Sequence, residues 1–261
     1  MITMSNDDRG VATLTLNRPQ KHNALHGETL RQLHAALFVL DKDPQVRAVV
    51  LTGAGASFCA GADIAHMRSM MDATEQQNVD DAMLLANCLQ LLDQLSKPVI
   101  ARINGNVFGG GVGLVACADI AVAVDSAKFA LTEVRLGLVP AVISPYVIGA
   151  IGARQARRLF LTAAAFNARE AQQLQLVHFA VPEHELETHI EAQLDLILRG
   201  GPIALRTAKK LVRDVRERSD TSALARETAA LLAALRVSPE GKEGLSAFLE
   251  RRDPSWRNSH R

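Results

Sequence analysis

The chain has 261 residues, 48% apolar and 22% charged, which suits one α/β domain with or without a helical appendage. Its 29 Lys plus Arg against 28 Asp plus Glu leave a net charge of +1, so no global field recruits nucleic acid or an anionic membrane. Three widely spaced cysteines, Cys59, Cys88 and Cys117, include no CxxC pair, which argues against a disulfide framework or a zinc site and for a reducing, cytoplasmic setting. Met1 to Asp8 carries acids and no apolar core, so neither a signal nor a transit peptide is expected. No run approaches the roughly 18 apolar residues of a membrane span.

Gly10 to Leu16 alternates apolar and polar residues, the period of a half-buried strand, and Asn17-Arg18-Pro19 ends it. Leu30, Leu33, Leu37 and Leu40 recur at helical spacing within Glu28 to Leu40. Val46 to Thr52 reads as a buried strand closed by Gly53-Ala-Gly55. Ala65 to Asp81, rich in Met and polar residues, predicts a loop or a short helix, and Ala82 to Leu95 a helix. Pro98 to Ile103 is the next strand, followed by a loop over Asn104 to Gly111, a small-residue helix over Val112 to Cys117 and a strand over Asp119 to Val124. Phe129 to Leu138 shows no single period. Beyond about Pro140 the pattern becomes helical: Gly149 to Ala164, Ala168 to Leu174, Glu185 to Leu198, Ile203 to Arg216, Ser222 to Arg236 and Gly241 to Arg251, with one strand over Val177 to Val181. Strand–helix units therefore come first and helices afterwards.

Two glycine-rich turns follow strands: Gly53 to Ile64, and Asn104 to Gly113. Glycine lets backbone approach a ligand closely, and free N–H groups bind negative oxygen. Two such turns from separate strands could each aim one N–H at the same developing oxyanion. On spacing alone they are equally well read as tight connections. Neither matches a nucleotide-binding fingerprint.

These turns belong to a longer series: Asn17-Arg-Pro19 with Asn23-Ala-Leu25, Ser57-Phe-Cys-Ala-Gly-Ala-Asp-Ile64, Lys97-Pro-Val-Ile-Ala101, Asn104-Gly-Asn-Val-Phe-Gly-Gly-Gly111, Cys117-Ala-Asp119, Glu133-Val-Arg-Leu-Gly137, Pro140, and Gly244-Leu-Ser-Ala-Phe-Leu-Glu250. In order and separation the series resembles the enoyl-CoA hydratase/isomerase (crotonase) superfamily over nearly the whole chain. The resemblance implies an α/β spiral of ββα units over residues 1–200. It also implies a helical trimerisation region over 201–261, which would make a homotrimer or a dimer of trimers. The acyl-CoA thioester would be the substrate, with no metal or redox cofactor.

Residue by residue, the resemblance puts the two oxyanion-hole amides on Ala62 and Gly110. It puts Ala60, Asp63 and Ile64 along the CoA arm, and Lys21, His22 and Ala24 near the nucleotide and pantetheine. Phe248 and Arg251 would reach a neighbouring subunit's CoA, although a helix-end arginine reads more simply as a solvated charge. Two glutamates are usual in hydratases of this kind. Here the first position is Gly113 and the second is Glu133. One carboxylate can take a proton from water and return one to the α-carbon, and an apolar pocket would raise its pKa toward the working range. Spacing alone would make Glu133 a surface partner of Arg135; the resemblance reverses that preference.

A single glutamate also suits an enoyl-CoA isomerase, which moves one proton. A further resemblance favours hydration: Leu131 to Val147 and the Gly-Gly-Gly-Val-Gly-Leu114 turn are similar to the 3-methylglutaconyl-CoA hydratases and their isohexenylglutaconyl relatives. Such substrates carry a distal carboxylate, for which Arg135, Arg68, His66 and Lys21 are candidates, with arginine favoured for its bidentate geometry. Gly113 would leave room for an ordered water, and Met67, with Met70 and Met71, would either shape the acyl pocket or simply fill core. Two other readings compete. The run Arg206 to Arg218 could meet RNA phosphates, but interleaved acids and missing aromatics favour a solvated face, and no nucleic acid is expected. The chain could also be a homologue without activity, against which Ala62, Gly110 and Glu133 argue. Tyr146, Ser144 and Asp125 are further polar residues with no assigned role, and His184 and His189 lack metal spacing.

Overall fold

The computed structural model describes residues 1–216 and 221–258. Glu217 and Arg218 of the basic run, and His260, lie outside the described residues. The first half runs β1 (Ile2–Asn6), β2 (Val11–Leu16), α1 (Gly27–Lys42), β3 (Ala48–Gly53), β4 (Ser57–Cys59), α2 (Ile64–Met70), α3 (Glu75–Gln94), β5 (Val99–Ile103), β6 (Asn106–Phe108), α4 (Gly110–Ala116), β7 (Ile120–Val124) and β8 (Lys128–Ala130). The second runs α5 (Ser144–Thr162), β9 (Phe166–Asn167), α6 (Ala168–Gln173), β10 (Phe179–Val181), α7 (Leu186–Leu198), α8 (Pro202–Arg216), α9 (Thr221–Val237), α10 (Pro239–Glu250) and α11 (Ser255–Asn258).

Two sheets share these strands. One has the order β1-β2-β3-β5-β7-β10 and the other β4-β6-β8-β9. Consecutive strands divide between them: β3, β5 and β7 enter the large sheet, and β4, β6 and β8 follow each into the small one. Helices α2 and α3 return the chain from β4 to β5, α4 returns it from β6 to β7, and α5, β9 and α6 lead from β8 to β10. Each turn thus joins two strands to a helical return, the expected spiral of ββα units. Pairing is parallel within β2-β3-β5-β7-β10 and within β4-β6-β8. A parallel strand is covered on both faces and so carries continuous apolar sequence. All six residues of β3, Ala-Val-Val-Leu-Thr-Gly, are buried accordingly.

The four leucines at helical spacing on α1 are all buried. They pack the helix against α3, where Cys88, Leu89 and Leu92 face inward. Burial of each such leucine contributes about 2 kcal/mol. Three expectations are corrected. The helix placed at Ala82 begins at Glu75, where Thr74 and Gln77 form a capping box. The loop over Asn104 to Gly111 contains β6 and the first turn of α4. Ser57–Cys59 and Lys128–Ala130 are strands of the second sheet.

Candidate active site

The turn after β4 is pinned at three points by the turn after Arg18. Ala60 N–H donates to His22 O (2.9 Å), Leu25 N–H to Gly61 O (2.7 Å) and Asp63 N–H to Leu25 O (2.8 Å). Ala62 is left over, and its N–H has no partner among the described residues. Asp63 completes the brace. Its Oδ1 caps α2 by accepting from Ala65 and His66 N–H (2.9 and 3.3 Å). Its Oδ2 accepts from Arg18 Nη2 at 2.9 Å, while Arg18 Nη1 donates to Ala24 O at 2.8 Å. Burial alone pushes the Asp63 carboxyl up; Arg18 and the two amides outweigh it and hold the group below the ordinary carboxylate range.

The second turn, after β6, lies against the first. Gly61 has φ +84°, and a methyl there would stand 3.0 Å from Phe108 O. Gly109 has φ +49° and ψ −119°, a glycine conformation, and a methyl there would stand 3.7 Å from Gly61 Cα. Gly109 N–H is spent on Ala130 O (3.0 Å) and Val112 N–H on Gly109 O (2.9 Å). Gly110, the first residue of α4, keeps its amide free among the described residues. Ala62 and Gly110 line one cavity of about 700 Å³.

Glu133 faces the same cavity. It opens a 3-10 turn, Glu133–Leu136, in which residues three apart share a face. Glu133 and Leu136 therefore both point inward, and Arg135 between them does not. Glu133 Oε1 lies 3.3 Å from the position a methyl on Gly109 would take, and Oε2 is buried with no hydrogen-bond partner among the described residues. Burial pushes the carboxyl above the ordinary glutamate range, with a bond from its own amide opposing. A carboxylate oxygen with no partner among the described residues, in a cavity lined by two residues with free amides, has the chemistry to exchange a proton beside an oxyanion.

Other expected site residues fall as follows. Ala60, Ile64 and Met67 line the cavity. Ala24 is buried beside it, and Lys21 and His22 are exposed on the turn that braces its wall. Phe248 and Arg251, exposed at the end of α10, do not line it within this chain. Arg135 is taken elsewhere, since its Nη2 donates to Ala163 O at 2.9 Å. It neither pairs with Glu133 nor lines the cavity as a substrate cation.

Gly113 is likewise corrected as a substrate contact. It is buried inside α4, and a methyl on it would lie 2.4 Å from Ile143 Cγ2 and 3.4 Å from Leu89 Cδ2. Ile143 fills the space that the glycine was expected to leave for water. Gly113→Ala is therefore expected to lower unfolding free energy by about 1–3 kcal/mol. In denaturant titrations, Gly113→Ala combined with Ile143→Ala should lose less than the sum of the two single variants.

Sequence reasoning did not identify His26 or Asp81, which also line the cavity. His26 caps α1 by accepting Thr29 N–H on Nδ1 (3.0 Å), which puts the ring proton on Nε2. Its place just before an amphipathic helix was the available signal. Asp81 Oδ1 lies 2.8 Å from His66 Nε2. Cys59 packs under Gly111, and burial pushes its thiol up to about 12, as for an inert core residue. Ser144 Oγ donates to Ala141 O, and Tyr146 lines a separate cavity. In the basic run, Lys209 pairs with Asp119 at 2.7 Å and Lys210 with Asp214.

The enoyl-CoA hydratase/isomerase family model matches residues 6–259. The crotonyl-CoA hydratase of Syntrophomonas wolfei is 34% identical over 250 residues, 94% of each chain. The 2,3-dehydroadipyl-CoA hydratase of Escherichia coli is 34% identical over 249 residues, 95% of each. A Legionella pneumophila structure described as an enoyl-CoA hydratase/isomerase (crotonase) superposes with a TM-score of 0.92 at 42% identity, covering 98% of both chains.

Proposed function

Because the chain belongs to the enoyl-CoA hydratase/isomerase family, we propose that it adds water to an α,β-unsaturated acyl-CoA thioester. A branched glutaconyl-type ester such as 3-methylglutaconyl-CoA is the substrate we favour. The observation that carries the chemistry is half-buried Glu133, whose Oε2 is buried with no partner among the described residues, in the cavity lined by Ala62 and Gly110. The thioester oxygen accepts from both amides. Ionised Glu133 takes a proton from water as the hydroxyl oxygen bonds to the β-carbon. The double-bond electrons move toward the thioester and become an enolate whose oxygen the two amides hold. Glu133 then delivers its proton to the α-carbon and returns to carboxylate, so one group serves as base and acid.

The preference for a carboxylated acyl group draws support from the sequence resemblance and from a relative named for 2,3-dehydroadipyl-CoA, whose acyl chain also ends in a carboxylate. A second reading, isomerisation of 3-enoyl to 2-enoyl thioesters, is favoured by one observation: Ile143 closes the place of a second carboxylate. One base suffices to move a proton from C2 to C4 or back.

Assembly through residues 201–261 as a trimer or dimer of trimers is part of this proposal. Phe248 and Leu249 stand 81% and 79% exposed on α10, apolar side chains that a neighbouring subunit would cover. Three buried free thiols suit a cytoplasmic enzyme. The discriminating experiment follows the conjugated enoyl thioester with 3-methylglutaconyl-CoA, crotonyl-CoA and a 3-enoyl-CoA in parallel. Hydration fastest with the first supports the full reading, fastest with crotonyl-CoA removes the glutaconyl preference, and turnover of the 3-enoyl ester alone replaces hydratase with isomerase.

A further inference from the structure

We infer that His66, held by Asp81, selects the acyl chain by admitting one that ends in a carboxylate in preference to one that ends in a methyl. The inference rests on the acyl-CoA reading of the cavity. His66 is on α2 and Asp81 on α3, and both line the cavity that holds Glu133. Nε2 lies 2.8 Å from Asp81 Oδ1, and the two side chains are 26% and 30% exposed. Around them the wall is apolar: Ile64, Met67, Ala82 and Leu85. Asp63 caps the His66 amide, which ties the start of α2 to the turn that carries Ala62, and Asp81 holds the ring.

An alkyl chain filling this space would strip water from a histidine–aspartate pair and return no hydrogen bond, which is costly. A terminal carboxylate replaces that water. Asp81 accepts the Nε2–H hydrogen bond, and Nδ1, which has no partner among the described residues, is left for the ligand. With a second proton on Nδ1, the ring donates to the carboxylate while Asp81 stabilises its positive charge from the other side. The alternatives are engaged or distant. Arg135 donates to Ala163 O, Arg68 and Lys21 do not line the cavity, and His26 spends Nδ1 on the α1 cap. Glu133 would repel a carboxylate brought against it, whereas the His66 ring can receive one.

Calorimetric titration with glutaryl-CoA and pentanoyl-CoA tests this. Both are saturated five-carbon ligands, one ending in a carboxylate and one in a methyl. The wild-type protein is expected to bind glutaryl-CoA about tenfold more tightly or better. His66→Gln, which keeps a donor for Asp81, should bring the two within about twofold by weakening glutaryl-CoA alone. An absent preference in the wild type, a preference unchanged in His66→Gln, or an equal loss for both ligands would each overturn the inference. Neither ligand reacts, so the outcome is independent of hydration. His66-dependent selectivity without enoyl turnover would sink the hydratase reading only, and turnover without that selectivity would sink this one only.

Discussion

Glu133→Gln is expected to lower the hydration rate about a thousandfold and leave the fold intact. The size follows from the isolation of the carboxylate. Ile143 and Leu89 occupy the space beside Gly113, where a second acid would stand. Asp81, a second carboxylate lining the cavity, is engaged with His66. Glutamine keeps the shape and loses the ability to exchange a proton. Stability should move the other way. Burial holds the Glu133 pKa above its unfolded value, so the ionised folded state carries a penalty once pH exceeds the folded pKa. The neutral variant lacks that penalty. It should match or exceed the wild type in denaturant titrations near neutrality, and the difference should vanish in acid. Full turnover in Glu133→Gln would refute the single-carboxylate mechanism.

Gly109→Ala is expected to cost about a hundredfold in kcat/KM. Its backbone, at φ +49° and ψ −119°, disfavours any side chain. A methyl there would also crowd Glu133 Oε1 at 3.3 Å and face Gly61 Cα at 3.7 Å. Relaxing either contact rotates the Gly110 amide or separates the two turns, and both amides must converge on one oxygen. The reading is a fall in kcat with a smaller change in binding of saturated acyl-CoA, since the lost contact strengthens only as the enolate forms.

These residues differ in how far the sequence revealed them. The glycine turns were legible because glycine is needed wherever backbone passes close to backbone or ligand, as at Gly61 and Gly109. The long buried strands and α1 were legible from their periods. Three-residue strands such as β4 and β8 were too short to show any period, and exposed β1 carries little apolar sequence. The first turns of α3, Glu-Gln-Gln-Asn, hide their helicity because nothing there is buried, although the Thr74–Gln77 capping box was readable. Contacts between distant residues were out of reach. Nothing local to Gly113 announces Ile143, thirty residues on, and nothing in Arg135 announces Ala163. The His66–Asp81 pair spans the break between two helices. Glu133 itself was picked out by resemblance; the burial of its Oε2 and that atom's lack of a partner among the described residues are tertiary facts.

The central claim is that one carboxylate, raised by burial, performs the acid–base chemistry. The pH dependence of kcat/KM, measured on whichever enoyl-CoA the wild type turns over fastest, tests it most directly. The reaction needs ionised Glu133 in the free enzyme, so the rate must fall as pH drops through the raised pKa. The account predicts one acid limb of unit slope lying above the ordinary glutamate range. A profile flat down to that range, or a limb with a slope of two, would contradict it.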